Sequence, residues 1–337
     1  MSAPICLIVN PSAGGGKARR VLPGVLAALQ GHGLHVRSEL TRDLAHAREL
    51  AREAALAGET VVCLSGDGMV GAVADVLREF PDALLGVLPG GRGNDLARVL
   101  GIPADPVEAC AILAAGFSRK LDLGEVELHP ETPEGGHTQW EHGRQASGRA
   151  FVGIASVGFD SDANRIANEA PAWLGGLVYA YGALRALLVW RPARFQIELD
   201  PPGERHDFSG YTVGACNSKT YGGGMRAAPD ALLDDGLFDV VVLEKVSKLS
   251  FLTKILPKVF SGAHVREPSV KVFRAREIAI SADRPFTMYA DGDPIGELPL
   301  RVRTIGGAVR VLVPTEGPGA DAFLAGGTDS DAAVVER

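Results

Sequence analysis

Three glycine-laced segments near the start of the chain have the residue types needed to cradle phosphate. Asn10-Pro11-Ser12-Ala13-Gly14-Gly15-Gly16-Lys17 stands where the apolar run ICLIV gives way to a helix-forming stretch. Glycines let a ligand approach the backbone, and the first turn of a helix leaves N–H groups unpaired for phosphate oxygens. The segment lacks the G-x-x-x-x-G-K-[ST] spacing of a Walker A loop, and alone it reads equally well as a glycine-rich turn. Ser65-Gly66-Asp67-Gly68-Met69 follows TVVCL and precedes VGAVADVLREF. Its glycines expose backbone N–H groups while Asp67 can face the metal or ribose side of a nucleotide; a β-turn with Asp for polarity is the competing reading. Pro89-Gly90-Gly91-Arg92-Gly93-Asn94-Asp95-Leu96-Ala97-Arg98 follows LLGVL, with Asn94 placed to cap the next helix.

The elements that must position these loops alternate. Strands at 4–10, 34–40, 60–64 and 84–88 are separated by helices at 17–30, 43–57 and 70–80. Such alternation with short connections predicts an α/β, doubly wound, Rossmann-like parallel sheet whose ligands bind beyond the carboxyl ends of the strands. Three phosphate-type loops at successive strand ends then share one rim. From about residue 118 the pattern turns to strand-like runs, including RKLDLGEVEL, RAFVGIASV, ARFQIEL, GYTVGAC, LFDVVVL, EIAISA, PFTMYA and AVRVLV. These predict a mostly antiparallel β-sandwich or barrel with helices near 158–190 and 247–260. The expected organisation is therefore a nucleotide-binding α/β domain over 1–117, a β-rich substrate domain over 118–313 and a disordered Gly/Ala/Asp tail over 314–337, with a long surface loop at 129–149.

Composition narrows the function classes. Thirty-seven more residues than three hundred exceed one typical domain, and 34 basic against 41 acidic groups give a net charge of −7. That balance argues against a nucleic-acid partner. Cys6, Cys63, Cys110 and Cys216 are far apart, so neither a disulfide framework nor a zinc site is indicated and a reduced, cytoplasmic setting is expected. The N-terminus has no basic n-region of a signal peptide. The apolar stretch 174–190 carries Arg185 and falls short of the ~20 residues of a spanning helix, so it reads as a buried or cleft-lining helix.

The order NPxxGGGK, GDG and PGGxGNDxAR resembles the catalytic domain of the diacylglycerol kinase family, which includes bacterial lipid kinases, sphingosine kinases and ceramide kinases. The likeness continues through Gly224-Met225-Arg226-Ala227-Ala228-Pro229-Asp230-Ala231, Asp234-Asp235-Gly236-Leu237-Phe238-Asp239 and Ala290-Asp291-Gly292-Asp293, and covers about residues 4–313. The resemblance implies an ATP-dependent lipid kinase fold of the NAD kinase/diacylglycerol kinase type. It implies that ATP meets Asn10, Gly15, Thr41, Ser65, Gly66, Asp67, Gly68, Met69, Gly91, Arg92, Asn94 and Asp95. It implies Mg²⁺ at the backbone of Leu232, the side chain of Asp235 and the backbone of Leu237, and Asp291, with Asp293 beside it, as the catalytic carboxylate taking the proton of the attacking hydroxyl. Read from the residues alone, Thr41 could be only a helix N-cap, Asp235 a turn cap and ADGD a tight β-turn.

The sequence departs from the family pattern at Ser65 (Gly), Met69 (Thr), Gly71 (Asn), Arg92 (Thr) and Asp293 (Glu). Two hydroxyl donors are lost, while Arg92 can supply a charge-assisted contact to phosphate. On the acceptor side, the stretch 174–190, FLTKILPKVF and the basic run 245–276 suggest a lipid substrate met at the membrane surface by peripheral contact; a solvated helix face is the alternative. The expected reaction is phosphorylation of a lipid hydroxyl, diacylglycerol to phosphatidic acid. An NAD kinase-like small-molecule kinase and a non-catalytic nucleotide- or lipid-binding regulator are the competing readings, and a homodimer is left open.

Overall fold

The computed structural model describes residues 3–127, 148–169 and 178–324. Most of the loop expected at 129–149, the start of the helix expected from 174, and the tail from 325 lie outside the described residues. The first strands are short, and all but the polar edge strand Val36–Leu40 are apolar runs buried on both faces, as a sheet covered by helices on each side requires. They are β1 (Ile5–Val9), β2 (Val36–Leu40), β3 (Thr60–Ser65) and β4 (Leu84–Pro89), all parallel in the order β2-β1-β3-β4. The connecting helices are α1 (Ala13–Gly31), α2 (Leu44–Leu56) and α3 (Asp67–Leu77), followed by α4 (Asp95–Val99) and α5 (Pro106–Ala115). In register, Val9 faces Leu64 and Ser65 faces Pro89, so the three glycine-laced loops leave one rim side by side.

The rest of the chain contributes β5 (Ser118–Glu127), β6 (Arg149–Phe151), β7 (Ile154–Gly158), helices α6 (Phe159–Glu169) and α7 (Val178–Val189), and strands β8 (Ala193–Leu199), β9 (Glu204–Cys216) and β10 (Phe238–Glu244). A helical segment over 248–259 precedes β11 (Val270–Ala275), β12 (Glu277–Ala282), β13 (Thr287–Ala290), β14 (Asp293–Glu297) and β15 (Leu300–Leu312). These strands pair antiparallel around a second apolar core. β11 and β14 had no clear sequence signal. Each lies at an edge, where Lys271 and Arg274 on opposite faces, or Pro294, blunt further pairing and blur the apolar pattern.

The last strand joins the two units. β15 pairs with β12 and, on either side of an irregularity between Ile305 and Val309, with β5, then runs parallel to β4 through Arg310–Leu84 and Val311–Leu85. The expectation of disorder from residue 314 is corrected for 314–324. Ala322 and Phe323 are buried against the first core, the Ala322 carbonyl accepts from Leu233 N, and Arg119 stacks on the Phe323 ring at 4.3 Å. A single aromatic anchor overrides the Gly/Asp composition around it.

Charged groups reinforce the seam. Glu125 on β5 is buried and bonds Arg78, just after α3, at 2.5 Å and Arg303 of β15 at 2.7 Å; burial opposes its charge, but the two guanidiniums outweigh it and hold its carboxyl below the usual range. Replacing Arg78 with Met leaves Glu125 with one partner and the Gly148 carbonyl without its donor. The expected cost is about 2 kcal/mol, below the usual loss for a buried ion because Arg303 remains. Urea unfolding measures it; a change under about 0.5 kcal/mol, the range of ordinary surface substitutions, removes the seam from the stability account.

Candidate active site

At the rim the three loops touch. Gly14, Gly15 and Gly16 have φ of 58°, 65° and 85°, a left-handed run that side chains seldom adopt. A Cβ on Gly14 would lie 2.6 Å from the Gly90 carbonyl, and one on Gly91 would lie 2.4 Å from Gly66 Cα. Asn10 Oδ1 accepts from Ser12 N at 3.0 Å and shapes the first loop. Thr41 ends β2 beside Asn10, but its hydroxyl is buried and donates to the Val9 carbonyl. It does not cap α2; Asp43 does, accepting from His46 N at 2.8 Å. Ser65 Oγ is buried without a partner, and Met69 is part of the apolar core.

Asn94 is corrected as a helix cap. It is left-handed, with φ of 51°, and its side chain folds back to accept from Gly91 N at 2.8 Å and donate to Gly91 O at 3.0 Å. The helix start is held instead by Asp67, whose Oδ1 accepts from Leu96 N at 3.0 Å. Asp67 therefore ties the second loop to the third. Arg92 is exposed at the lip of that loop.

Behind the rim, Asp67, Asp95 and Asp291 line one pocket. A Cβ on Gly93 would lie 3.1 Å from both Asp67 Oδ2 and Asp95 Oδ2, so glycine there leaves room for both carboxylates. Asp95 bonds Arg98 at 2.5 Å and accepts from Gly223 N at 2.7 Å; burial and the Asp67 charge push its carboxyl up. Asp291 comes from the tight turn between β13 and β14, with φ of 50°. Its carboxylate accepts from Val152 N at 2.8 Å, Gly153 N at 2.9 Å and Ile154 N at 3.3 Å. Burial, with the Asp67 charge adding to it, still pushes Asp291 up to about 7. Asp293 lies next to Gly68, and burial raises its carboxyl while Arg149 opposes.

Leu232, Asp235 and Leu237 do not line this pocket. Asp235 Oδ1 accepts from Leu237 N at 3.0 Å and Oδ2 pairs with Arg274, so a cation at that loop would have to displace Arg274. Among the described residues, no group of three or more His, Cys, Asp or Glu side chains is arranged to hold a metal ion.

A second cavity adjoins the first. Its cavity volume is about 90 Å³, and it is lined mainly by apolar side chains of α6, β9, β10 and the 248–259 segment. Ile154, Ser156 and Tyr221 line both cavities, so the apolar chamber opens beside Asp291.

Residues 4–126 match the profile of the diacylglycerol kinase catalytic domain, and residues 153–313 match the YegS C-terminal NAD kinase beta sandwich-like domain. The diacylglycerol kinase of Mycobacterium tuberculosis is 31% identical over 316 residues, covering 93% of this chain and 96% of that protein. The chain belongs to the diacylglycerol kinase family. Its Bacillus subtilis relative, also named diacylglycerol kinase, is 26% identical over 92% of this chain and 96% of its own length. A crystal structure of a diacylglycerol kinase from Bacillus anthracis str. Sterne shares the fold, with a TM-score of 0.69 at 19% identity over 93% of this chain and 97% of that one. This family member is thus a lipid kinase, an enzyme rather than a non-catalytic regulator.

One departure from the family pattern has a direct physical account. A Cβ at Gly71, where asparagine is usual, would lie 2.8 Å from Asp291 Oδ2, so glycine there leaves room for the carboxylate. Sequence reasoning missed the 152–154 amides that hold Asp291 and the Tyr221–Gly223 strap that reaches Asp95 from the second unit. The run of three glycines, Gly222 to Gly224, was the available signal for the strap.

Proposed function

We propose that this lipid kinase transfers the γ-phosphate of ATP to the hydroxyl of diacylglycerol, giving phosphatidic acid, at a membrane surface. The observation that carries the reading is the opening of the acidic pocket, beside Asp291, into an apolar chamber. Acyl chains fill the chamber and the hydroxyl meets Asp291 at its mouth. ATP lies along the rim with its phosphates against the Gly14–Gly16, Gly66–Gly68 and Gly91–Gly93 backbones, near Asn10 and Thr41. Asp291 takes the hydroxyl proton as that oxygen bonds to the γ-phosphorus, and the bond to the ADP oxygen breaks.

Asp95 is already paired with Arg98 and Gly223 N, whereas Asp67 in the same pocket, whose Oδ1 alone is taken by Leu96 N, suits Mg²⁺, which is commonly held by one or two carboxylates together with substrate phosphates. When bound it would neutralise phosphate charge. No helix among the described residues is long and apolar enough to cross a membrane, so contact with lipid is peripheral in this reading. Leu184, Leu188 and Val189 of α7 and Leu249, Leu252 and Phe260 around the 248–259 segment are exposed. Lys248 joins the two groups by donating to the Leu188 carbonyl at 2.8 Å. Phe251, Ile255 and Leu256 of the same segment line the chamber, placing this face at its access route. Basic groups such as Lys248 and Lys254 each add ~1 kcal/mol toward anionic lipid.

The test is incubation with γ-labelled ATP, dioleoylglycerol vesicles and Mg²⁺, with NAD as a competing acceptor. Label in the organic extract is expected; label in NAD with none in lipid overturns the reading. Arg92→Thr is expected to raise the KM for ATP about tenfold, the scale of one charge-assisted phosphate contact, with the thermal midpoint unchanged. An unchanged KM removes Arg92 from donor binding.

A further inference from the structure

One polar bond stands beside the opening that joins the chamber to the acidic pocket. Tyr221 lines both cavities, and Asp160 lines the chamber from the first turn of α6. Tyr221 Oη donates to Asp160 Oδ2 at 3.1 Å. Burial, and after it the Asp160 charge, push the phenol well above its usual range, so it keeps its proton and is the donor.

Each partner is tied to a carboxylate of the catalytic pocket. Asp160 follows β7 closely, and the first residue of that strand, Ile154, donates its N–H to Asp291. Tyr221 opens the strap. Its N–H and carbonyl pair with Met225 at 3.0 Å each, closing a loop through Gly222, Gly223 and Gly224, whose φ values are 60°, 84° and 108°. From that loop Gly223 N reaches Asp95. Three glycines bring no side chains to pack, so the strap takes its place from these few contacts. The Tyr221–Asp160 bond thus joins the strand that cradles Asp291 to the strap that holds Asp95, and completes a ring of contacts around the opening. A phenylalanine against a leucine would line the same wall without burying a carboxyl. A buried polar pair instead fixes one arrangement of the groups that carry it.

We propose that Tyr221 and Asp160 are positioning residues for the acceptor: their bond sets the width of the opening, and with it the place at which the lipid hydroxyl meets Asp291. The inference rests on the lipid kinase reading, in which acyl chains occupy the chamber. The Tyr221 ring is the wall that the hydroxyl end of the lipid passes on its way to the carboxylate. Loss of the bond frees that wall, while Asp95 keeps its Arg98 pair and the glycine rim is untouched, so donor binding stays in place. Transfer is steep in this coordinate, since a misplacement of about 1 Å can cost about 10²-fold in rate.

The experiment measures kcat and the KM for ATP with dioleoylglycerol vesicles, together with the thermal midpoint. Tyr221→Phe is expected to lower kcat by about tenfold or more, with the KM for ATP within about twofold of the wild type. It also lowers the midpoint, because Asp160 is left without its donor. The double variant Tyr221→Phe with Asp160→Leu removes both polar partners, a change that can be nearly neutral for folding. Its midpoint should return toward the wild-type value while kcat stays low. Asp160→Asn keeps an oxygen for Tyr221 Oη and should retain most of the rate. A kcat that recovers with the midpoint in the double variant marks a purely structural pair and overturns the proposal; so does a wild-type kcat in Tyr221→Phe, or a rise in the KM for ATP in place of the fall in kcat. If the double variant does not fold, equal rates in Tyr221→Phe and Asp160→Asn overturn it alone. Failure of the wild type to label any lipid, by contrast, overturns the lipid kinase reading itself and this inference with it.

Discussion

Replacing Asp291 with asparagine is expected to lower kcat for lipid phosphorylation by about 10²-fold or more, the usual contribution of a general base. Asparagine tolerates the left-handed backbone at this position and keeps an oxygen for the Gly153 and Ile154 amides. The variant should therefore fold, and nucleotide binding should persist. The wild-type rate should rise with pH to a plateau above about 7, because the base acts only when deprotonated. Stability carries the opposite sign. The folded-state value lies above the ordinary 3.8, so the folded chain holds a proton that the unfolded chain has released. That contribution is complete below about 3.8 and is lost as pH rises through about 7. Thermal midpoints at pH 5 and pH 8 should differ less in Asp291→Asn than in the wild type. An unchanged rate removes Asp291 from the mechanism; an unchanged pH dependence of the midpoint removes its buried, raised titration.

Gly91→Ala is expected to weaken ATP binding by about 10²-fold and to destabilise the protein by about 3 kcal/mol, the upper end of overpacking costs. Its Cβ would lie 2.4 Å from Gly66 Cα and 3.0 Å from Gly66 N. Both are backbone atoms that no rotamer change can move aside, so two loops of the rim must part. Gly15→Ala is the control. Nothing lies within 4 Å of its Cβ, and only the left-handed φ of 65° opposes it, a strain of about 1–2 kcal/mol. Nucleotide titration and thermal melting should separate the two variants. Similar affinities for both would mean that loop contact does not shape the donor site.

The parallel sheet was legible because strands of five or six residues, three of them buried, alternate with helices, and a glycine-rich break marks the end of each buried one. The convergence of Gly14, Gly66 and Gly91 followed from that topology. What escaped was contact set by tertiary geometry. Nothing local distinguishes Asn94 as a loop lock from Asn94 as a cap, because its left-handed backbone depends on Gly91 and Asp67 being in place. The burial of Phe323 was invisible for the same reason: composition around it favours solvent, and its partner Arg119 is far away in sequence. The chamber was hinted at by apolar runs, but its opening at Tyr221 beside Asp291 required two distant loops to meet.

The final strand also bears on how a ribosome can deliver this protein. β4 has β3 on one side, and on the other its neighbour is supplied by residues 310–311. Until residues 310–311 have emerged, the nascent N-terminal half exposes an unpaired strand flank, a template for intermolecular association. Emergence of β15 therefore closes the N-terminal half, and chains stalled before residue 310 should depend on chaperones to stay dispersed.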